Sequence, residues 1–187
     1  MAGALVGLLS LLPLRPAGAQ QAHQAAAGEA YWLSLAETTG DVLRGPFDPY
    51  SPLGVQVVVG RNLAPRWALG AGVGLLAAHR VAESVRLMAL RLLARSYDSP
   101  RRVFGVIPVR PWTEGSVGML WTRGTAAPVA AHRAAVTLGL GVGAELPVSG
   151  RVQLEWVGGP TLEVFPRALG ISSISHVGAK LGLGREP

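Results

Sequence analysis

Residues 135–146 read AVTLGLGVGAEL, with Val136, Leu138, Leu140, Val142, Ala144 and Leu146 on one face and Thr137, Gly139, Gly141, Gly143 and Glu145 on the other. A period of two is that of a strand whose sides meet different surroundings. The same alternation recurs in WALGAGVGLL (67–76), where Trp67, Leu69, Ala71, Val73 and Leu75 oppose Ala68, Gly70, Gly72 and Gly74. It returns in LGVQVVVG (53–60), RVQLEWV (151–157) and HVGAKLGLG (176–184). AYWLSLAETT (30–39) and VRPWTEGSVGMLWT (109–122) supply two further strands. SVRLMALRLLARSY (84–97) is ambiguous, because Leu, Ala, Met and Arg favour helix; as a strand it puts Met88, Leu90, Leu92 and Ala94 on one face and Arg91 and Arg95 on the other.

Eight such segments of about 9 to 12 residues have the length of tilted membrane-spanning strands. The chain of 187 residues is 49% hydrophobic, yet it carries 25 Gly, 14 Pro and no apolar run long enough to span a bilayer as a helix. That composition excludes a disordered chain and argues against a helical bundle. A soluble barrel also alternates, but its outer face is normally a quarter to a third charged. Here the second face is mainly Gly with scattered charges, which suits a narrow lumen, and the apolar face then meets lipid. The expected fold is an all-β, eight-stranded antiparallel up-and-down transmembrane β-barrel. Short links at 61–66 and 147–150 are expected at the inner end, and the longer links 38–52, 123–133 and 158–170 at the outer end. Trp67, Trp112, Trp121 and Trp156 are the candidate interfacial aromatics.

The first residues, MAGALVGLLSLLPLRPAGAQ, hold an apolar stretch followed by Ala17-Gly18-Ala19, although no basic residue precedes it. This is the pattern of a secretory signal peptide over 1–19. A flexible lead-in over 20–28 and a barrel domain over 29–187 complete the expected organisation.

The combination of LGLGVGAELPVSGRVQLEWVGG, the terminal VGAKLGLG and RPWTEGSVGML resembles the small outer-membrane β-barrel proteins of the OmpA/OmpX-type superfamily. The resemblance spans roughly residues 30 to 187. It implies a barrel in the bacterial outer membrane, inserted by the barrel assembly machinery. The chain departs from that pattern in ending Gly-Arg-Glu-Pro, where the family ends on an aromatic residue, and in its Arg-rich composition.

Specific chemistry is sparse. Without Cys there is no disulfide or thiolate chemistry, and His23, His79, His132 and His176 lack metal-ligand spacing. Residues 139–144 match a degenerate dinucleotide pattern, but Pro147 follows too soon for the helix such a site requires. Adjacent Ser175 and His176 face opposite sides of a strand, poor geometry for a nucleophile and its base. No enzyme activity, metal or cofactor is expected. Arg91, Arg95, Glu114, Glu145, Arg151, Gln153, Glu155 and Lys180 are candidates for a lumen charge network, because isolated charges buried there must pair or meet water. Arg44, Arg80, Arg86, Arg123, Arg133 and Arg167 lie in or beside predicted outer loops, where guanidinium groups suit lipopolysaccharide phosphates. A nucleic-acid partner is not expected, since basic residues and stacking aromatics do not cluster. The expected role is that of a monomeric outer-membrane barrel with a structural or surface-interaction function and a lumen closed by paired charges. A narrow pore for small solutes and a soluble periplasmic barrel binding a small apolar ligand are the alternatives.

Overall fold

A computed structural model describes residues 31–46, 51–80, 83–124, 133–149 and 151–183, with the side chains of 79, 80 and 83 excluded. The proposed leader and lead-in lie outside the described residues, as does His132. The strands are β1 (Tyr31–Arg44), β2 (Leu53–Ala64), β3 (Trp67–Arg80), β4 (Glu83–Tyr97), β5 (Arg101–Val103), β6 (Ile107–Gly124), β7 (Ala134–Ser149), β8 (Val152–Phe165) and β9 (Ala168–Leu183). Eight of them form one antiparallel sheet in the order β4-β3-β2-β1-β9-β8-β7-β6, and pairing of β4 with β6 closes it. The helix-favouring segment 84–97 is therefore a strand, because its partners β3 and β6 supply both ladders.

The register sets the shape. Following paired residues once around from Trp32, through Gly60, Gly70, Leu93, Ser116, Gly139, Thr161 and Ser172, the path returns to β1 at Val42, ten residues above its start. A stagger of ten over eight strands tilts them by about 40° and gives a backbone cylinder about 16 Å across. Each residue then gains about 2.5 Å of height.

The pleat faces the way a membrane barrel requires. Val55, Val57, Val59, Leu69, Val73, Leu75, Leu90, Leu92, Leu138, Leu140 and Val142 are all exposed on the outside. The glycine and charge positions line the inside. Such a continuous apolar wall far exceeds the few hundred Å² that soluble monomers expose, and the soluble-barrel alternative, which needs the reverse orientation, is ruled out. Trp67 near the inner end and Trp121 near the outer end both carry the outward phase, about 25 Å apart in height, the span of a hydrocarbon band. At the inner rim the Arg61 guanidinium lies 5.4 Å over the outward Tyr31 ring.

One stretch of this wall is polar. Glu37, Thr39 and Asp41 of β1 share the outward phase and pair with Val177, Ser175 and Ser173 of β9. Ser175 and Ser173 in turn pair with Gly158 and Pro160 of β8. Glu37 is exposed and stands six residues above Tyr31, about 15 Å up the wall.

Two connections differ from expectation. Residues 158–170, read as a long outer loop, continue β8 and β9 almost to their tips and leave a tight turn at Pro166-Arg167. Gly158-Gly159-Pro160 looks like a turn in sequence, but its ladder to β9 runs through unbroken, and the ladder to β7 lapses only over Gly159 and Pro160, where proline has no N–H to donate. The long inner link 97–108 is explained by β5, which doubles back on β6 through a tight turn. There Phe104 and Gly105, at the centre of a turn in which the Val106 N–H donates to the Val103 carbonyl at 3.3 Å, both have positive φ, 51° and 72°.

A charge cluster in the inner half of the lumen

Alternation sends Arg91, Arg95 and Tyr97 of β4 inward, with Trp112 and Glu114 of β6, Glu145 of β7, Gln153 and Glu155 of β8, and Lys180 of β9. In a cylinder this narrow, side chains from opposite walls meet. The Arg95 Nε donates to Glu114 Oε2 at 2.9 Å and its Nη1 to Glu155 Oε2 at 2.7 Å. Arg91 Nη1 lies 3.3 Å from the other Glu114 oxygen. Lys180 Nζ donates to Glu145 Oε2 at 2.7 Å and to the Tyr97 hydroxyl at 3.2 Å, while Arg110 Nη1 approaches Glu145 Oε1 at 3.6 Å. Ser34 donates to Glu155.

Aromatic rings enclose the cations. The Arg95 guanidinium lies 4.1 Å from the Trp112 centroid and 4.7 Å from that of Trp32, and Arg110 lies 4.3 Å from that of Tyr97. Desolvated cation–π contacts of this kind each contribute about 2 kcal/mol. The glycine face makes room for them: a Cβ on Gly143 would stand 2.6 Å from Cζ2 of Trp112, and one on Gly60 would collide with the Trp32 ring. Trp32, Val58, Ala68, Leu93, Tyr97, Trp112 and Val157 form the apolar part of this plug.

Seven of the eight residues expected in the lumen network do face the lumen, and six of them join in its ion pairs; Gln153 is buried beside them. Arg151 does not: it is exposed in the β7–β8 turn, where the strand phase no longer applies. Trp112, expected at an interface, is 2% exposed inside the barrel, in phase with Glu114. Trp67 and Trp156 are exposed on the outer wall, and Trp121 is half-buried there. Sequence reasoning missed Trp32, Tyr97 and Arg110, although each shares strand parity with a predicted lumen residue or a glycine row. His176, which neither metal-ligand spacing nor its place beside Ser175 marks as a site residue, faces inward from β9, its Nδ1 2.7 Å from Thr38 Oγ1.

Above the plug the lumen opens into a chamber of about 100 Å³. Arg91, Glu114, His176 and Gln56 form its floor, and Leu76, Leu87, Ala89 and Leu120 form one wall. The opposite wall carries Thr137, Thr161 and Ser172, with Ser172 donating to Glu163 at 2.9 Å. A second apolar cluster, Ala78, Val85, Leu120, Ala135 and Phe165, packs across the lumen above it. Arg44, Arg86, Arg123, Arg133 and Arg167 are exposed at the outer end; the Arg80 and His79 side chains lie outside the described residues. Among the described residues no three His, Asp or Glu gather as a metal site.

This closed cylinder has counterparts among solved structures. Neisserial surface protein A matches with a TM-score of 0.60 at 10% identity, over 83% of this chain and 97% of that one. The outer membrane protein OprG from Pseudomonas aeruginosa matches with a TM-score of 0.53 at 7% identity, over 82% and 95%. The chain shares the fold of the small eight-stranded outer-membrane β-barrels. No family model matches the sequence, and no curated protein is detectably similar to it.

Proposed function

We propose that the protein is a monomeric bacterial outer-membrane barrel, exported through its leader and inserted by the barrel assembly machinery. Its role is structural or surface-interacting, and its lumen does not conduct. The observation that carries this reading is the placement of Arg95, 1% exposed, between two carboxylates and two indole rings in the inner half of an apolar-walled cylinder. A plug of interlocked charges and rings favours a closed lumen, so a structural role fits better than a solute pore. The exposed arginines at the outer end suit the phosphates of lipopolysaccharide, which present the bidentate acceptors that guanidinium groups prefer. Ser173 and Ser175 point outward and His176 inward, so neither serine hydroxyl meets that base.

Planar-bilayer recording of the refolded protein tests the closure. The wild type is expected to be silent, and Glu145→Gln or Lys180→Gln to open discrete steps. Steps of equal size in the wild type refute the closed lumen and favour the narrow pore. Membrane fractionation with heat-modifiable gel mobility tests location, and recovery only in the soluble fraction refutes it.

A further inference from the structure

The plug contains one cation more than its geometry uses. Four lumen cations, the buried Arg95 and Lys180 and the partly buried Arg91 and Arg110, face three carboxylates, Glu114, Glu145 and Glu155. Arg95 already holds Glu114 and Glu155, and Lys180 holds Glu145, with Arg110 at 3.6 Å from its other oxygen, so every carboxylate keeps a partner without Arg91. Arg91 makes only a 3.3 Å contact to an oxygen of the shared Glu114, and its Nε and Nη2 are buried with no hydrogen-bond partner. A surplus cation with buried, idle donors is unfavourable unless an anion completes it.

Arg91 also borders the chamber, and the side chains above it are apolar: Ala89, Leu87, Leu76 and Leu120. Charge at the floor and hydrocarbon on the wall describe an amphipathic occupant. The volume of about 100 Å³ accommodates a small molecule with a short apolar body. Glu163, the other carboxyl in the chamber, sits about 10 Å higher on the opposite wall, which orients an anionic head toward Arg91 and disfavours a dianion. We infer that this chamber is a binding site for a small organic monoanion, its carboxylate on Arg91 and its short apolar body against Leu76, Leu87, Ala89 and Leu120. The inference does not rest on where the barrel resides.

Butanoate is a suitable probe. The refolded full-length barrel in non-ionic detergent and chloride-free zwitterionic buffer is titrated calorimetrically with butanoate and with butan-1-ol, after subtraction of protein-free micelles. Butanoate is expected to saturate at one per barrel and to bind at least about tenfold tighter than the alcohol. Arg91→Gln, which leaves Glu114 paired with Arg95, is expected to reduce that preference to less than about twofold. Ala89→Phe fills the chamber without touching the ion pairs and is expected to abolish both bindings. Absence of saturable butanoate binding, or an unchanged preference in Arg91→Gln, overturns the inference. Should Arg91→Gln fail the heat-modifiability test of folding, Ala89→Phe decides, because undiminished butanoate binding there places the site elsewhere.

Discussion

Replacing Arg95 by Met probes the plug most directly. The substitution keeps much of the stem volume and removes the guanidinium, leaving Glu155 with only the Ser34 hydroxyl and Arg91 as the remaining cation partner of Glu114 at 3.3 Å. Breaking a buried ion pair by removing one member costs about 3–5 kcal/mol, because the other charge stays behind. Two enclosed cation–π contacts, at 4.1 and 4.7 Å, disappear with it, although Met recovers part of that packing against the indoles. Together the expected loss is about 4–6 kcal/mol. Urea unfolding of the barrel in phospholipid vesicles, followed by tryptophan emission, measures it. The double variant Arg95→Met/Glu155→Gln removes the orphaned charge as well and is expected to regain about 2–3 kcal/mol of the loss. A single variant within about 1 kcal/mol of wild type would falsify the view that the cluster is a tightly coupled plug. A double variant no better than the single would show that the loss comes from ring packing and not from charge.

Further expectations follow from particular positions. A Cβ on Gly143 would stand 2.5 Å from the Trp156 carbonyl oxygen and 2.6 Å from the Trp112 ring, so Gly143→Ala and Gly143→Leu should each cost about 1–3 kcal/mol in the same unfolding assay; a neutral Gly143→Leu would mean that both the β8 backbone and the ring have room to move. Glu37→Leu replaces an outward carboxylate about 15 Å up the wall and should stabilise the barrel in vesicles by about 1–2 kcal/mol; a loss of stability instead would reveal a partner for that carboxylate. Outside the wall, the Asp98 carboxyl is held below its usual range, first by the Ser99 backbone N–H and then by Arg101. A depressed acid stabilises the fold above its unfolded pKa, and that contribution disappears as pH falls through the lower folded value. The Asp98 carboxyl shift in an NMR titration should therefore turn below the ordinary aspartate midpoint. Arg101→Ala should return it only part of the way, and a full return would contradict the primacy of the Ser99 bond.

The wall of the barrel was legible because strand parity is strict: once Val136 and Leu138 are outward, every residue through Leu146 is assigned. Parity also resolves the ambiguous β4, where a helical composition is overridden by two ladders of partners. What sequence reading lost were places where a local signal pointed against the pattern. Gly158-Gly159-Pro160 resembles a turn, yet a closed sheet tolerates one absent donor. Trp112 resembles an interfacial ring, yet it shares phase with Glu114, and the deciding fact is the glycine opposite it on β7, Gly143. The chamber was not legible at all, since it depends on which lumen side chains from non-neighbouring strands fall short of one another.

The register has a further consequence for how the chain acquires its shape. Seven of the eight closing ladders join strands that follow one another along the chain, apart from the short β5, and these can form hairpin by hairpin with little loop entropy at stake. The eighth joins β1 to β9, the two ends of the described chain, and can form only after β9 has been delivered. Arg95 and Glu155 belong to strands four and seven of that cylinder, so they meet only when the curling sheet brings its edges together. The Arg95–Glu114 and Arg110–Glu145 pairs, by contrast, join strands that are ladder partners and can form before closure. A chain stalled before β9 docks would therefore expose an open strand edge and leave Glu145 without Lys180, a form distinguishable from the finished barrel by its accessibility to protease and to water.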